Sequence, residues 1–301
     1  MSSSNPHPLM RDSLRMSVEQ RVSAHLGQSW RAQKFTDLND LASHPCAILS
    51  NGSYAVFAKL GEAAHAQEQF EVEQAGLQLL AERTGVQTPT PIGTITVEGG
   101  AVMLLEAIPA IERGPQQWRE IGQALARIHK VKGDQCGLAT QGYFGPLYQD
   151  NRPIPDWPTF YAERRLWPRL MSAIDAGHLP TSAIRQIEKL IMRVPELCGP
   201  TIKPALLHGD AQQNNFISTI TGAIVIDPAV SYGHPEFDLA YLDYFQPVPA
   251  AVFDGYRDEL LIDAGFSERR DLWRVYGYLA VVTVAGQEYM SQLMGAVQKY
   301  L

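Results

Sequence analysis

Apolar and polar positions change their period along the chain. Between Trp30 and Glu106, short apolar runs are separated by turn residues: "CAIL", "SNGS", "YAVFAKL", then "IGTITV", "EGG", "AVMLLEA". Asn51-Gly52 and Gly99-Gly100, each lying between two such runs, predict β-hairpins. Between the hairpins, "AQEQFEVEQAGLQLLAER" has helical spacing, with Phe70, Leu77 and Leu80 on one apolar face. From Pro115 onward helical patterns dominate, interrupted by one small β island at 205–226. The expected architecture is α+β: a β-rich N-terminal lobe over residues 16–106 and a mainly helical C-terminal lobe over 107–301. Residues 1–15, polar and holding two prolines, are expected to be a disordered lead, and Met16 offers an alternative start.

Composition narrows the partners. A chain of 301 residues with 45% hydrophobic positions can bury a sizeable core. Its net charge of −7 comes without a basic stripe, which argues against nucleic acid and anionic membrane as partners. The longest apolar runs are strand-sized, and the N-terminus lacks the apolar core of a signal peptide. Cys46, Cys136 and Cys198 are scattered and odd in number, so neither a disulfide framework nor a zinc site is indicated. A reducing, cytoplasmic location is expected.

Two sets of polar residues carry candidate chemistry. Glu73 lies three residues after Phe70 and four before Leu77, on the apolar stripe of its helix. A carboxylate there needs a cation, and Lys59, closing "YAVFAKL", is placed to supply one. The alternative is a solvated Glu73 at the edge of the stripe and a lysine that merely ends a strand. The second set is in "LLHGDAQQNNF", residues 206–216, followed by "AIVID". Strands entering and leaving this connector bring Asp210, Asn215 and Asp227 to the ends of adjacent strands of one small hairpin system. Two carboxylates and an amide oxygen are hard ligands suited to Mg²⁺, which takes few protein ligands plus phosphates. Asp-x-x-x-x-Asn followed by a strand-terminal Asp is also the spacing of the catalytic and metal loops of protein kinases.

At these positions the chain resembles the aminoglycoside and choline kinase-like phosphotransferases and, more narrowly, the fructosamine (ketosamine) kinase family. "LLHGD" with Asn215, then "VIDPAVSYGHPEFDLAYLDYF", is similar to that family's H-G-D-x-x-x-x-N and D-P-A-x-x-Y-G-H-x-E-x-D-L-A segments. "DWPTFYAERRL" resembles its W-x-x-F-[FY]-x-x-x-R-L helix start. The resemblance implies a two-lobed protein-kinase-like fold that phosphorylates a hydroxyl of a small molecule, with ATP and Mg²⁺. It implies Asp210 as the base or orienter of the acceptor hydroxyl and Asn215 and Asp227 as metal ligands. It also implies Lys59 on the α- and β-phosphates, fixed by Glu73, and backbone groups near Glu106 and Ile108 reading adenine. His208 would position the loop, Asp238 would brace it from the following helix, and Trp157 would wall a sugar site or pack in the core. A solvated Asp238 at a helix N-terminus is the alternative there. His129 is expected to pack or to complement a helix end rather than ligate, and Cys46 to be a buried strand residue.

Two departures qualify the resemblance. "FTDLNDLASHPCAIL", the nucleotide-covering segment, has no glycine, so Ala42 and Ser43 would have to let phosphates approach the backbone. In "YGYLAVVTVAGQEY", Ala280 and Val281 stand where the family carries an Asn-His pair on its sugar-binding side. Lost hydrogen bonds there predict inefficient turnover of simple fructosamines and a better acceptor that is less hydroxylated or differently substituted. Left open are another sugar or amino alcohol as acceptor and a non-catalytic pseudokinase that binds nucleotide without turnover.

Overall fold

The computed structural model describes residues 7–39 and 44–301, which form two compact units. The first takes in chain up to Gln78 together with Thr88–Ala110, and the second Leu79–Gln87 together with Ile111–Leu301. These limits differ from the sequence boundary at 106/107: residues 79–84, the end of one helix, group with the C-terminal unit, and residues 107–110 with the first.

The first unit is a five-stranded antiparallel sheet with a helix against each face. Its helices are α1 (Asp12–Leu26) and α2 (Ala66–Thr84). The strands are β1 (Lys34–Asp37), β2 (Cys46–Ser50), β3 (Ala55–Gly61), β4 (Pro91–Val97) and β5 (Gly100–Glu106), ordered β1-β2-β3-β5-β4. Side chains alternate across a strand, so Val102 and Leu104 of β5 join Val18 and Val22 of α1 on one face. Ala101, Met103 and Leu105 join Phe70 and Leu77 of α2 on the other. That two-sided burial explains why "AVMLL" is a continuous apolar run rather than an alternating one. The same alternation places Val56, Ala58 and Leu60 of β3 with α1, which turns Phe57 and Lys59 toward α2.

The disordered lead expected over 1–15 is corrected for its described part. A short turn at Pro8–Met10 leads into α1, and Leu9 and Leu14 are buried in the core under the sheet. Prolines and polar residues hid this, because too few apolar positions lie there to set a period.

The second unit is mainly helical. It holds α3 (Pro115–Lys130), the ribbon β6 (Gly142–Phe144) and β7 (Leu147–Gln149), and α4 (Trp157–Phe160), which continues through a π-helical turn at Tyr161–Leu166 into α5 (Trp167–Asp175). After α6 (Thr181–Leu197) come β8 (Ala205–Leu207), β9 (Phe216–Thr219), β10 (Gly222–Val225) and β11 (Ser231–Gly233). Helices α7 (Pro235–Tyr241), α8 (Ala250–Arg257), α9 (Phe266–Ala285) and α10 (Met290–Gln298) complete it. The single β island of the sequence reading is therefore extended by β11, and β6 and β7 form a separate ribbon before it. Its strands form two ribbons rather than one hairpin system: β9 pairs with β10, and β8 with β11. Runs of three residues between turns are too short for periodicity to reveal.

Helices α3 and α8 pack backbone to backbone. A side chain at Gly122 would meet the Val252 carbonyl oxygen at 1.8 Å, and one at Gly255 the Arg119 carbonyl oxygen at 2.0 Å. Only glycine at both positions permits this approach. No helix among the described residues is long and apolar enough to cross a membrane.

Candidate active site

In the first unit, Lys59 and Glu73 meet. Lys59 Nζ lies 2.8 Å from Glu73 Oε2, and both residues are buried. Lys59 comes from the α2-facing side of β3, and Glu73 from the stripe between Phe70 and Leu77 that packs on that face. The solvated alternative for Glu73 does not hold. Glu106 ends β5, its N–H bonded to the Thr90 carbonyl (2.9 Å), and Ala107 N–H makes a further bond to Ala55 (3.0 Å), with Ile108 next in the chain. Cys46 is a buried residue of β2 opposite Lys59 in register. Ala42 and Ser43 lie outside the described residues.

In the second unit, the connector after β8 is held from several sides. Asp238, on α7, is fully buried, and its carboxylate accepts the backbone N–H of His208 (2.7 Å) and of Gly209 (2.9 Å). Its burial excludes the solvated alternative. His208, also fully buried, presents Nε2 to the Ile226 carbonyl (3.0 Å) while Nδ1 accepts the Asp210 N–H (3.2 Å). Only a neutral ring with its proton on Nε2 satisfies both, and burial lowers the His208 pKa accordingly. His208 thus ties the segment carrying Asp210 to the segment just before Asp227. Gly209 has φ +83°, and a Cβ there would lie 1.9 Å from the Ala229 carbonyl oxygen, so no other residue fits between the two segments.

Asn215, 5% exposed, donates Nδ2 to the Asp210 carbonyl (2.8 Å) and to Asp210 Oδ2 (3.1 Å), which turns its Oδ1 away from Asp210. Its own carbonyl accepts the Ile226 N–H (3.0 Å). Asp227 follows with φ 52°, the one positive φ at a non-glycine residue among those described. Such a backbone is strained and persists where its surroundings over-determine it. Burial, then the nearby Asp227 carboxylate, push the Asp210 pKa up to about 7, against hydrogen bonds from Gln212 and Asn215. Crowded negative charge of this kind suits a cation. Among the described residues no three His, Cys, Asp or Glu side chains gather into a closed metal site. A carboxylate and an amide oxygen beside a second carboxylate fit a small hard ion that completes its shell with phosphate and water.

Trp157 stacks on Tyr161 (5.4 Å between ring centroids) and packs against Gly233, inside the aromatic core rather than on an open face. Ala280 is buried on α9 and Val281 half-buried against the core. Several contributors escaped the sequence reading. His129 Nε2 donates to Asp238 (3.0 Å) while its Nδ1 meets the Tyr256 hydroxyl (2.9 Å), so α3 and α8 both support the residue that holds the loop. The apolar stripe of α3 signalled burial but not this partner. Arg113 Nη2 donates to the carbonyls of Gln213 (3.0 Å) and Phe216. Glu236 receives Arg269 at both carboxylate oxygens (2.9 and 2.6 Å) and Trp273 Nε1 (3.0 Å), which fixes α7 to α9.

Strand-end carboxylates with an intervening asparagine, on a helical unit, and a lysine–glutamate pair, on a sheet unit, define a protein-kinase-like phosphotransferase class. The sequence profile described as Fructosamine kinase matches residues 14–301. A probable ketoamine kinase of Synechocystis sp. is 30% identical over 290 residues, covering 94% of this chain and 96% of the relative. The ketosamine-3-kinase of Mus musculus is 28% identical over 250 residues, covering 74% and 81%. A crystal structure from Thermobifida fusca, assigned as a fructosamine-3-kinase, superposes with TM-score 0.82 at 28% identity, covering 94% and 98%. The chain belongs to the fructosamine kinase family, which makes it an ATP-dependent kinase with an alcohol group as acceptor.

Proposed function

We propose that the chain transfers the terminal phosphoryl group of ATP to a hydroxyl of a ketosamine, a sugar bearing a substituted amine. The reading is supported by the family and by one arrangement above all: Asp210 and Asp227 held within electrostatic reach of each other, with Asn215 bonded to Asp210. Asp210 would accept or orient the proton of the attacking hydroxyl. Asp227 and Asn215 Oδ1 would hold Mg²⁺, which when bound neutralises charge on the transferring phosphate. Lys59, oriented by Glu73, would bind the α- and β-phosphates, and the backbone near Glu106 and Ile108 would receive adenine. His208 and Asp238 touch no substrate in this scheme; they fix the backbone from which Asp210 projects. Catalysis by such a set rests on positioning and charge stabilisation. A cytoplasmic site of action fits three buried cysteines that form no disulfide.

The test is ADP release with and without Mg²⁺ across sugar amines, free sugars and amino alcohols. Release that needs both the cation and a ketosamine is the expected result. Release stimulated best by a choline-like amino alcohol moves the acceptor class. ATP binding without release for any acceptor favours the pseudokinase.

A further inference from the structure

Helix α7 and the turn after it are fastened to the Asp210 loop at both ends. At the start, Asp238 holds the His208 and Gly209 N–H groups; beyond the end, Gln213 Nε2 donates to the Gln246 carbonyl at 3.3 Å. Between these fastenings stand Tyr241, Tyr244 and Phe245. Tyr241 and Tyr244 pack edge to face, with centroids 5.2 Å apart, and Gly277 leaves room for both rings. Each hydroxyl is buried and has no hydrogen-bond partner among the described residues. Buried polar groups ordinarily have partners, so two orphans, one at the end of α7 and one in the turn after it, in a segment fastened to the Asp210 loop, ask for a cause.

From Tyr244 a strip of rings leads outward. Phe245 lies 4.4 Å and Tyr278 4.7 Å from Tyr244 by centroids, Tyr289 is 5.8 Å from Phe245, and exposure rises from 7% at Tyr244 to 42% at Phe245. Tyr289 is half-buried. The charged neighbours on the helices behind are already paired, Arg274 with Asp243 and with the Ala240 carbonyl. An apolar track therefore starts at Tyr244, in the segment fastened to the Asp210 loop, and ends in solvent at Phe245. Burial, and after it charges that include the Asp210 carboxylate, raise the pKa of both phenols.

A ketosamine has the same polarity in sequence: a polyol at one end, then an amine, then the group the amine carries. We propose that Tyr244 is a specificity-determining residue of the acceptor site, its hydroxyl pairing with a sugar hydroxyl, and that Phe245, Tyr278 and Tyr289 seat an apolar or aromatic substituent on the amine. Rings offer face and edge contacts to such a group, whereas a carboxylate would gain at most a phenol hydrogen bond. The Tyr244 hydroxyl supplies in the turn after α7 a polar contact that Ala280 and Val281 do not supply on α9. This inference rests on the kinase reading above.

The experiment compares two acceptors with one sugar, fructosyl-benzylamine and fructosyl-glycine, by ADP release and by calorimetric binding without nucleotide. The benzyl acceptor is expected to show at least about tenfold higher kcat/KM, the scale of one well-packed apolar group. Phe245→Ala and Tyr289→Ala should bring that ratio close to unity with the KM for ATP unchanged. Tyr244→Phe should weaken both acceptors about tenfold, as loss of one hydrogen bond does, and leave the ratio intact. Equal kcat/KM for the two acceptors in wild type, or a ratio that survives both alanine variants, overturns the ring seat. A Tyr244→Phe protein that matches wild type, or that loses ATP affinity along with acceptor affinity, overturns the role of Tyr244. ADP release from neither ketosamine while free sugars or amino alcohols are phosphorylated refutes the acceptor reading itself, and this inference with it.

Discussion

Asp210 and the Lys59–Glu73 pair show what single residues commit the chain to. Replacing Asp210 by Asn keeps the side chain's shape and its bond from Asn215 but removes the group that would take the acceptor proton. The expected outcome is a kcat lowered by orders of magnitude with ATP affinity nearly intact, measured by steady-state kinetics and nucleotide titration. An unchanged rate would remove Asp210 from the mechanism. For the buried pair, either single change strands a desolvated charge, at a cost of about 3–5 kcal/mol, whereas Lys59→Met with Glu73→Gln strands none. A double-mutant cycle on unfolding free energy should show the double change costing less than the sum of the singles; additive costs would show that the ion pair contributes nothing. These residues were legible in the sequence because each sits at a position that periodicity defines: Lys59 in a strand, Glu73 on a helical stripe, Asp227 after an apolar run. Tyr244 was not, because the period gives out after α7, and an aromatic residue in a turn carries no sign of which way it faces.

At the scale of elements, the sheet unit followed from pattern almost directly. Two hairpins flanking one amphipathic helix leave few arrangements that bury both faces of β5. Helix α1 was missed, since its buried positions Leu14, Val18 and Val22 are spread among polar residues and follow two prolines. The β8–β11 ribbon was missed for a different reason: it joins strands separated by β9 and β10, and nothing local in the sequence records such a pairing. The close packing of α3 on α8 was equally hidden, though it bears on the site through Tyr256, His129 and Asp238. Gly255→Ala would place a methyl group 2.0 Å from the Arg119 carbonyl oxygen, so the helices must separate. Overpacking of this kind costs about 1–3 kcal/mol. The melting temperature should fall, and turnover should fall with it as Tyr256 shifts from His129. A Gly255→Ala protein that melts where wild type does would contradict the contact.

For the molecule as a whole, acid stability should depend on His234, which anchors the start of α7. The ring is 4% exposed, stacks on Trp273 and accepts the Glu236 N–H through Nδ1 (3.2 Å). Burial lowers its pKa from 6.5 to about 4; the carboxylates of Glu236 and Asp263 oppose that shift, while Arg269 and His129 add to it. The folded protein therefore keeps this ring neutral at pH values where the unfolded chain has already protonated it. Between about pH 6.5 and pH 4 the unfolded state binds the extra proton, and stability falls as the pH falls. The full contribution is on the order of 3 kcal/mol, from 1.36 kcal/mol per pKa unit. It is complete above pH 6.5 and lost through that window. Carboxylates with lowered pKa values, Glu19 and Asp150 among them, add their own losses below the ordinary carboxylate range, so wild type alone cannot isolate the histidine. His234→Asn keeps an acceptor for the Glu236 N–H and removes the titration. Chemical denaturation at several pH values should show the variant less stable than wild type at pH 7, with the gap narrowing steadily toward pH 4.5. A gap that stays constant with pH would mean that His234 remains as easily protonated in the fold as out of it, and that α7 is anchored by packing alone.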